Sequence, residues 1–292
     1  MILIALLQPG DPIEPCPEIA DQVPSVHVRA AIRRALPVEK SCRDLSEVTA
    51  LRFVEPVRNL AGIEKLESLT SLSLYDVPGG DLSPLSALPK LSALSIGPPP
   101  WATSIDERTH IEDLTPLSAL KSLESLTLVS AKPRTLKPLA ALKLLTHLVI
   151  DNSDVQNLEG LQGCTALKVL SLDGAGIREI KPLAGLSQLT QLNLAGNRLK
   201  DLSPLAGKKA LTELDVSFNP RLVDLEPLAE TPALERLRAR MTAVASVEPL
   251  LKLTRLLEVD VCLTPAASGV GVVQSLEADG VMVRAKGPIC HK

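Results

Sequence analysis

Leucine recurs through most of this 292-residue chain at a nearly constant interval. Segments of the form L-x-x-L-x-[LIVA] follow one another, and they begin at Leu69, Leu91, Leu123, Leu145, Leu167, Leu189, Leu211 and Leu234. Neighbouring starts are 22, 32, 22, 22, 22, 22 and 23 residues apart. A fixed period of roughly 20–50 residues is the signature of one structural unit stacked many times. The period therefore predicts a solenoid with one continuous core rather than two globular domains.

Each repeat changes its apolar spacing part-way along. From Leu189 to Ala195 apolar and polar residues alternate, which predicts a short strand with one buried face. Gly196 and Asn197 then predict a turn, and Pro204 suits the first position of a short helical turn on the opposite side. The equivalent prolines of other repeats are Pro84, Pro116, Pro138, Pro182, Pro227 and Pro249. The predicted fold is an α/β solenoid: a leucine-rich-repeat arc with a concave parallel β-sheet, convex short 3₁₀ or helical turns and a cap at each end.

The repeats resemble the internalin-type, 22-residue class of bacterial leucine-rich repeats, which a eukaryotic protein-phosphatase regulator shares. The resemblance covers about residues 28–261, since Val28–Leu36 and Asp44–Leu51 look like the helical cap that precedes internalin-like repeats. It implies a non-enzymatic module that binds another protein. Such a module is either exported and internalin-like or, alternatively, an intracellular regulatory subunit that docks on an enzyme and modulates it.

One position departs from that class. The asparagine that usually follows the strand is present only at Asn197 and Asn219. The residues that replace it elsewhere are Val77, Ala131, Ser153, Ala175 and Thr242. Turns without the asparagine need other partners for their backbone groups.

The chain is predicted to have three segments. Residues 1–47 form an N-terminal tail and helical cap, residues 48–255 the leucine-rich repeats, and residues 256–292 the C-terminal cap. Ser25 can cap the first helix, and residues 281–283 are predicted to add an edge strand beside a last strand within residues 256–261. The apolar run Ile2–Leu7 is either the remnant of a signal peptide or a simple apolar cap strand or tail.

Four of the five cysteines lie at the ends of the chain, where Cys16 and Cys42 flank the first cap and Cys262 and Cys290 flank the last. One disulfide in each cap would place the protein in an oxidising compartment, which favours secretion or the cell surface over the cytoplasm. The alternative is four reduced, half-buried thiols in the cytosol, since sequence alone does not determine pairing. Cys164, within the repeats, is predicted to be inert core.

Composition and motifs give little support to several classes of function. A net charge of −3 offers no electrostatic footprint for nucleic acid, and no apolar run is long enough to span a membrane. The four histidines form no pair with metal-ligand spacing, and no nucleophile, phosphate-loop or metalloprotease motif is present. With only four aromatic residues, the chain lacks the platforms that sugar sites usually have. We therefore expect a monomer with no catalytic residues, metal or cofactor, whose partner is another protein.

The outward positions of the strands predict the concave surface. Its side chains are mostly small, and nearly neutral in sum, over the first two thirds of the repeats, and they are charged over the last third. Asp151 and Asp173 are expected to form an uncompensated acidic pair. The residues predicted to contact the partner are Tyr75, Trp101, His147, Asp151, Asp173, Arg238 and Arg240.

Charges of opposite sign alternate between neighbouring strands at the charged end. The two predicted ladders are Glu213–Arg236–Glu258 and Asp215–Arg238–Asp260. Opposite charges on adjacent strands stabilise a sheet, so the ladders either neutralise themselves or present a binding patch. Arg240 is expected to have no charged neighbour.

An insertion lengthens one repeat by ten residues, at Gly97–His110. Insertions in solenoids map to loops that often lie at the binding face, and this one carries the only tryptophan, Trp101. Trp101 either contacts the partner, together with Tyr75, or folds back over the end of the neighbouring strands.

Overall fold

The computed structural model describes residues 16, 19, 21–36, 45–53, 55–97, 111–155, 157–285 and 290. Within this part of the chain, eleven parallel strands form one sheet in which each strand pairs with the next along the sequence. The helices and strands are α1 (Val26–Ala35), β1 (Ala50–Arg52), β2 (Ser71–Leu74), β3 (Ala93–Ile96), β4 (Ser125–Val129), β5 (His147–Asp151), β6 (Val169–Ser171), β7 (Gln191–Asn193), β8 (Glu213–Asp215), β9 (Arg236–Arg238), β10 (Glu258–Asp260), α2 (Val270–Ala278) and β11 (Met282–Arg284). The parallel order confirms the predicted repeat architecture.

Columns of leucine fill the space behind the sheet. The register places Leu72 beside Leu94 and Leu94 beside Leu126, so that equivalent side chains stack from strand to strand, and all three are buried. Truncating one such buried leucine to alanine typically costs about 2–5 kcal/mol. The opposite side of the sheet, which carries the intervening residues, is the concave face.

Short 3₁₀ turns form the layer opposite the sheet, as predicted. They occur at Leu45–Glu47, Ile63–Lys65, Ser83–Ala87, Thr115–Ala119, Lys137–Ala141, Leu161–Gly163, Lys181–Leu183, Ser203–Leu205, Glu226–Glu230, Glu248–Lys252 and Pro265–Ser268. Most of them carry the recurrent proline as their second residue. Gly160 precedes one turn that lacks it, with a φ of 107°, and a β-carbon there would collide with the backbone of Leu136. Only glycine fits so close to the previous repeat.

The N-terminal cap is helix α1, and its predicted start is confirmed. The hydroxyl of Ser25 accepts a hydrogen bond from the backbone N–H of Val28 at 3.4 Å. The same hydroxyl donates to the carbonyl oxygen of Asn59 at 2.6 Å, which ties the cap to the first repeat. Val28 and Ile32 bury the apolar face of the helix against the core.

The C-terminal cap contains one element that the sequence did not predict, helix α2. It is followed by β11, which pairs with β10 and aligns Val283 with Val259. The edge strand therefore lies one residue later than the predicted 281–283. Leu276 of α2 is buried in the core, so the helix closes the exposed end of the solenoid.

The cysteines differ in their redox state. Cys262 and Cys290 form a disulfide that closes the C-terminal cap, as predicted. Cys16 is also disulfide-bonded, while Cys42, the other cysteine of the predicted N-terminal staple, lies outside the described residues. Cys164 is free and buried, and burial raises the pKa of its thiol to about 11. Its sulfur donates to the carbonyl oxygen of Leu139 at 3.1 Å, consistent with the predicted role as inert core.

The two asparagines that follow strands satisfy several backbone groups at once. The Asn197 amide nitrogen donates to the carbonyl oxygens of Leu172, Leu194 and Ala195 at 2.7–2.9 Å. Its side-chain oxygen accepts from the backbone N–H of Ile177 at 2.8 Å. Asn219 repeats the arrangement one strand later. These side chains therefore link neighbouring repeats as well as their own turn.

Candidate functional site

The predicted contacts near the start of the concave face are only partly within the described chain. Tyr75 follows β2 and is half-buried, and His147 opens β5 and is exposed. The His147 Nδ1 atom lies 2.8 Å from the hydroxyl oxygen of Thr146. Trp101, with the insertion from residue 98 to 110, lies outside the described residues, as does Ile2–Leu7. Whether Trp101 contacts the partner or folds back over the neighbouring strands therefore remains a prediction.

The middle of the concave face is acidic. The carboxylate of Asp151 accepts hydrogen bonds from the Ser171 hydroxyl at 2.7 Å and from the backbone N–H of Asp173 at 2.9 Å. Burial, followed by the nearby charges of Asp151 and Asp215, raises the pKa of Asp173 above its ordinary value. No described residue makes an ion pair with either Asp151 or Asp173. The predicted acidic pair is thus present, with Asp151 held by neutral donors.

At the charged end of the concave face, the ion pairs differ in part from the predicted ladders. Arg236 forms an ion pair with Glu213 at 2.6 Å, as expected. Glu258 instead pairs with Arg284 of β11 at 2.8 Å. The ladder prediction lacked this partner because it ended at β10, one strand short of the edge of the sheet.

The prediction that Arg240 lacks a charged neighbour is wrong. Its Nε lies 3.9 Å from a carboxylate oxygen of Asp260, and its Nη2 donates to the carbonyl oxygen of Cys290 at 3.4 Å. A long side chain can reach diagonally along a sheet, whereas the prediction considered only directly opposite residues. Arg238, which was predicted to pair with Asp215 and Asp260, is exposed and makes no ion pair with any residue the structure describes.

A shallow depression of about 330 Å³ lies beside the sheet rather than on its concave face. It is lined by Asp154, Val155, Gly176, Arg178 and Arg198. Within the described ranges, no group of three or more histidine, cysteine, aspartate or glutamate residues could hold a metal ion. No helix of the same ranges is long and apolar enough to cross a membrane. The described concave surface offers hydrogen-bonding and charged groups for recognition, spread along many strands.

The comparisons with known proteins agree with this geometry. Residues 187–230 match the family model described as Leucine Rich repeats (2 copies). The chain is a leucine-rich-repeat solenoid. The matched repeats include β7 and β8, which border the charged end of the concave face. A search of curated proteins gives no match.

Solved leucine-rich-repeat structures resemble about three quarters or more of this chain. Internalin C2 of Listeria monocytogenes is 29% identical over 74% of this chain and 93% of its own, with a TM-score of 0.63. Internalin F of the same organism is 23% identical over 95% of this chain and 92% of its own, with a TM-score of 0.58. The leucine-rich-repeat ectodomain of a plant membrane receptor kinase, GASSHO1/SCHENGEN3 of Arabidopsis thaliana, is 17% identical over 75% of this chain and 30% of its own, with a TM-score of 0.56. That ectodomain was solved in complex with CASPARIAN STRIP INTEGRITY FACTOR 2.

Proposed function

We propose that this chain is a non-enzymatic module that binds another protein through its concave face. The main support is the unpaired charge on that face. Asp173 is half-buried beside Asp151 without a described cation, and Arg238 is exposed without a described anion. Such groups contribute little to the fold itself, and a partner of complementary charge would stabilise them.

Binding is the general role of this architecture. A parallel sheet whose outer residues vary over an unchanged leucine core offers a long surface rather than an enclosed pocket. The plant receptor ectodomain, which shares the fold, was solved in complex with a second molecule. Fold likeness alone does not identify the partner of this chain.

We further propose that the protein works outside the cytosol, as an exported, internalin-like binding protein. The Cys262–Cys290 disulfide and the oxidised state of Cys16 favour an oxidising compartment. The similarity to internalin C2, at 29% identity, supports the internalin-like part of this proposal. The alternative, an intracellular regulatory subunit, requires the cysteines of both caps to be reduced thiols.

Location can be tested by counting free thiols. Protein purified from its native host without reduction would be denatured, alkylated and weighed intact. One alkylated cysteine, Cys164, supports two oxidised caps and an exported protein. Five alkylated cysteines contradict export and favour the regulatory subunit.

Concave binding can be tested with matched variants. The wild-type chain and the double variant Asp151→Asn/Asp173→Asn would be immobilised and incubated with proteins of the host's surroundings. A protein retained by the wild type, lost with the concave variant and kept by Leu144→Ser supports the proposal, because Leu144 is exposed on the turn before β5 and not on a strand. Equal retention by all three chains contradicts concave recognition.

A further inference from the structure

A column of left-handed residues runs along the edge of the sheet where the strands end. In successive repeats one residue in the turn after the strand, one to three positions beyond the strand end, has a φ between 51° and 64°. These residues are Ser130, Asn152, Gly174, Gly196, Phe218, Met241 and Leu263. The backbone N–H of Phe218 donates to the carbonyl oxygen of Arg240 at 2.7 Å. The backbone N–H of Met241 donates to the carbonyl oxygen of Cys262 at 3.0 Å. The last three members of the column therefore lie side by side in the turns after neighbouring strands.

Large apolar residues are poorly suited to this column. Left-handed geometry is free of steric cost for glycine and tolerated by asparagine, whereas a bulky side chain is strained there. The chain places Gly174 and Gly196 in the two preceding repeats, so the turn itself does not require a side chain. Phe218, Met241 and Leu263 hold the same geometry at a conformational cost.

Burial does not compensate that cost. Phe218, Met241 and Leu263 are 50%, 46% and 50% exposed. Contiguous exposed apolar residues lower solubility, and strained residues persist where function depends on them. Neither folding nor solubility accounts for these three side chains, which we term the apolar ridge.

Unpaired cations lie on both sides of the apolar ridge. On the concave side, Arg238 precedes Met241 by three residues and is exposed. On the loop side, Arg221 follows Phe218 by three residues and is also exposed. Neither arginine forms an ion pair with a described residue. The two acids directly opposite Arg238 are engaged, since Asp215 accepts from the Ser217 N–H and Asp260 is 3% exposed and lies near Arg240.

We propose that the apolar ridge is the docking surface for a partner-protein segment that carries apolar side chains together with carboxylates. The segment's apolar side chains cover Phe218, Met241 and Leu263, and its carboxylates pair with Arg221 and Arg238. This proposal rests on the proposed protein-binding function and locates the recognition at the rim of the sheet. A second copy of the chain is a poorer occupant, since three half-exposed side chains offer a few hundred Å² against the ~800 Å² per partner of a stable interface.

The test uses displayed random peptides of about 12 residues, long enough to span the ridge in extended form. The library is selected on the full, disulfide-intact chain, and enriched peptides are then titrated against variants. We expect peptides rich in both apolar residues and Asp or Glu, which bind Phe218→Gly and Met241→Gly at least about ten-fold more weakly than wild type. Both variants should keep or raise the melting temperature, because glycine fits the turn.

Two variants serve as matched controls. Ser130→Gly changes the same turn position at the other end of the column without removing an exposed apolar side chain. Leu144→Ser removes an exposed apolar side chain from the turn before β5, outside the apolar ridge. Peptide affinity should be unchanged in both. Arg238→Gln should weaken the acidic peptides and leave the melting temperature unchanged.

Several results would overturn the proposal. Peptides that bind the ridge variants as tightly as wild type, that are basic, or that fail to enrich at all would each do so. If binding survives in Phe218→Gly but is lost in Asp151→Asn/Asp173→Asn, the ridge fails while concave recognition stands. A wild-type dimer in light scattering that becomes a monomer in Met241→Gly would show that a second copy covers the ridge, contrary to the proposal.

Discussion

The ammonium group of Lys208 lies 2.9 Å from the carbonyl oxygen of Leu183, inside the layer of 3₁₀ turns. The same group donates to the carbonyl oxygens of Ala184 and Leu186, at 3.2 and 3.0 Å. Lys208 is 4% exposed, and the equivalent position one repeat earlier is the buried Leu186. A cation therefore occupies a core position and bonds to the backbone of the preceding repeat.

Replacing Lys208 with leucine should change the free energy of unfolding by less than about 1 kcal/mol at neutral pH, because a buried charge often contributes no more than an apolar residue of similar volume. Of the three acceptors of Lys208, the carbonyl oxygen of Leu183 keeps a hydrogen bond from the N–H of Leu186, while those of Ala184 and Leu186 lose the lysine donor, which sets the upper part of this range. Lys208→Ala should cost about 2 kcal/mol, since it also leaves a cavity. Urea unfolding would measure both, and a loss above about 3 kcal/mol in the leucine variant would contradict this account.

The stability of the wild type should also depend on the pH through Lys208. Burial lowers the pKa of Lys208 below its ordinary value of 10.5. The folded chain therefore releases this proton at lower pH than the unfolded chain, and stability rises with pH between the folded pKa and 10.5. Any advantage of Lys208→Leu over wild type should shrink across that window.

The fold was predictable because its signal is repeated. The strand proposed between Leu189 and Ala195 is β7, and Ser25 caps α1 as expected. Each leucine column needs the same residue at the same place, so one misread repeat hardly affects the period. Helix α2 was missed because it has no side-chain N-cap and contains Gly271, which weakens the helical pattern.

The candidate site was less predictable, because side chains reach beyond their direct neighbours. The register correctly paired Glu213 with Arg236, but it did not anticipate Arg240 reaching Asp260. The apolar ridge was also missed. Its signal is present in the sequence, since Phe218 and Met241 stand where Gly196 occurs, but only the φ angles and exposure give that substitution meaning.

Asn197→Ala should lower the free energy of unfolding by about 2–4 kcal/mol. The substitution leaves the carbonyl oxygen of Leu172 and the N–H of Ile177 without a partner, and each unsatisfied buried group carries a desolvation penalty. The carbonyl oxygens of Leu194 and Ala195 keep hydrogen bonds from Asn219 and from the N–H of Gly174. Asn193→Ala, on the half-exposed concave side, is the control and should cost less than about 1 kcal/mol. Equal losses in the two variants would show that the buried amide has no special role.

Asp173→Asn should raise the free energy of unfolding at pH 7 by a few tenths of a kcal/mol, because solvent screens much of the repulsion at this half-exposed site. The pKa of Asp173 is raised in the folded state by burial and by its acidic neighbours. The folded chain thus binds this proton more readily than the unfolded chain, so its ionisation costs stability as the pH rises through the folded pKa. The advantage of the variant should disappear below about pH 4, and a constant advantage at all pH values would refute the repulsion.

Removing the C-terminal disulfide should destabilise the cap more than the repeats. Cys262 and Cys290 close a loop of 28 residues, for which the chain-entropy estimate is about 3–4 kcal/mol. Hydrogen exchange in Cys262→Ser/Cys290→Ser should accelerate in α2 and β11 while β4 and β5 stay protected. Uniform acceleration along the chain would show instead that the solenoid unfolds as one cooperative unit.

Because the strands follow one another in chain order, the number of repeats sets the distances along the sheet. Each strand touches only the strands before and after it, so the separation between the acidic centre at Asp173 and the apolar ridge is set by the number of repeats between them. Adding or deleting one 22-residue unit, such as residues 189–210, would shift that separation by a single strand spacing of about 4.8 Å. Gain or loss of repeats during evolution can thus change the distance between the two surfaces in increments of one strand spacing, without altering the residues of either surface.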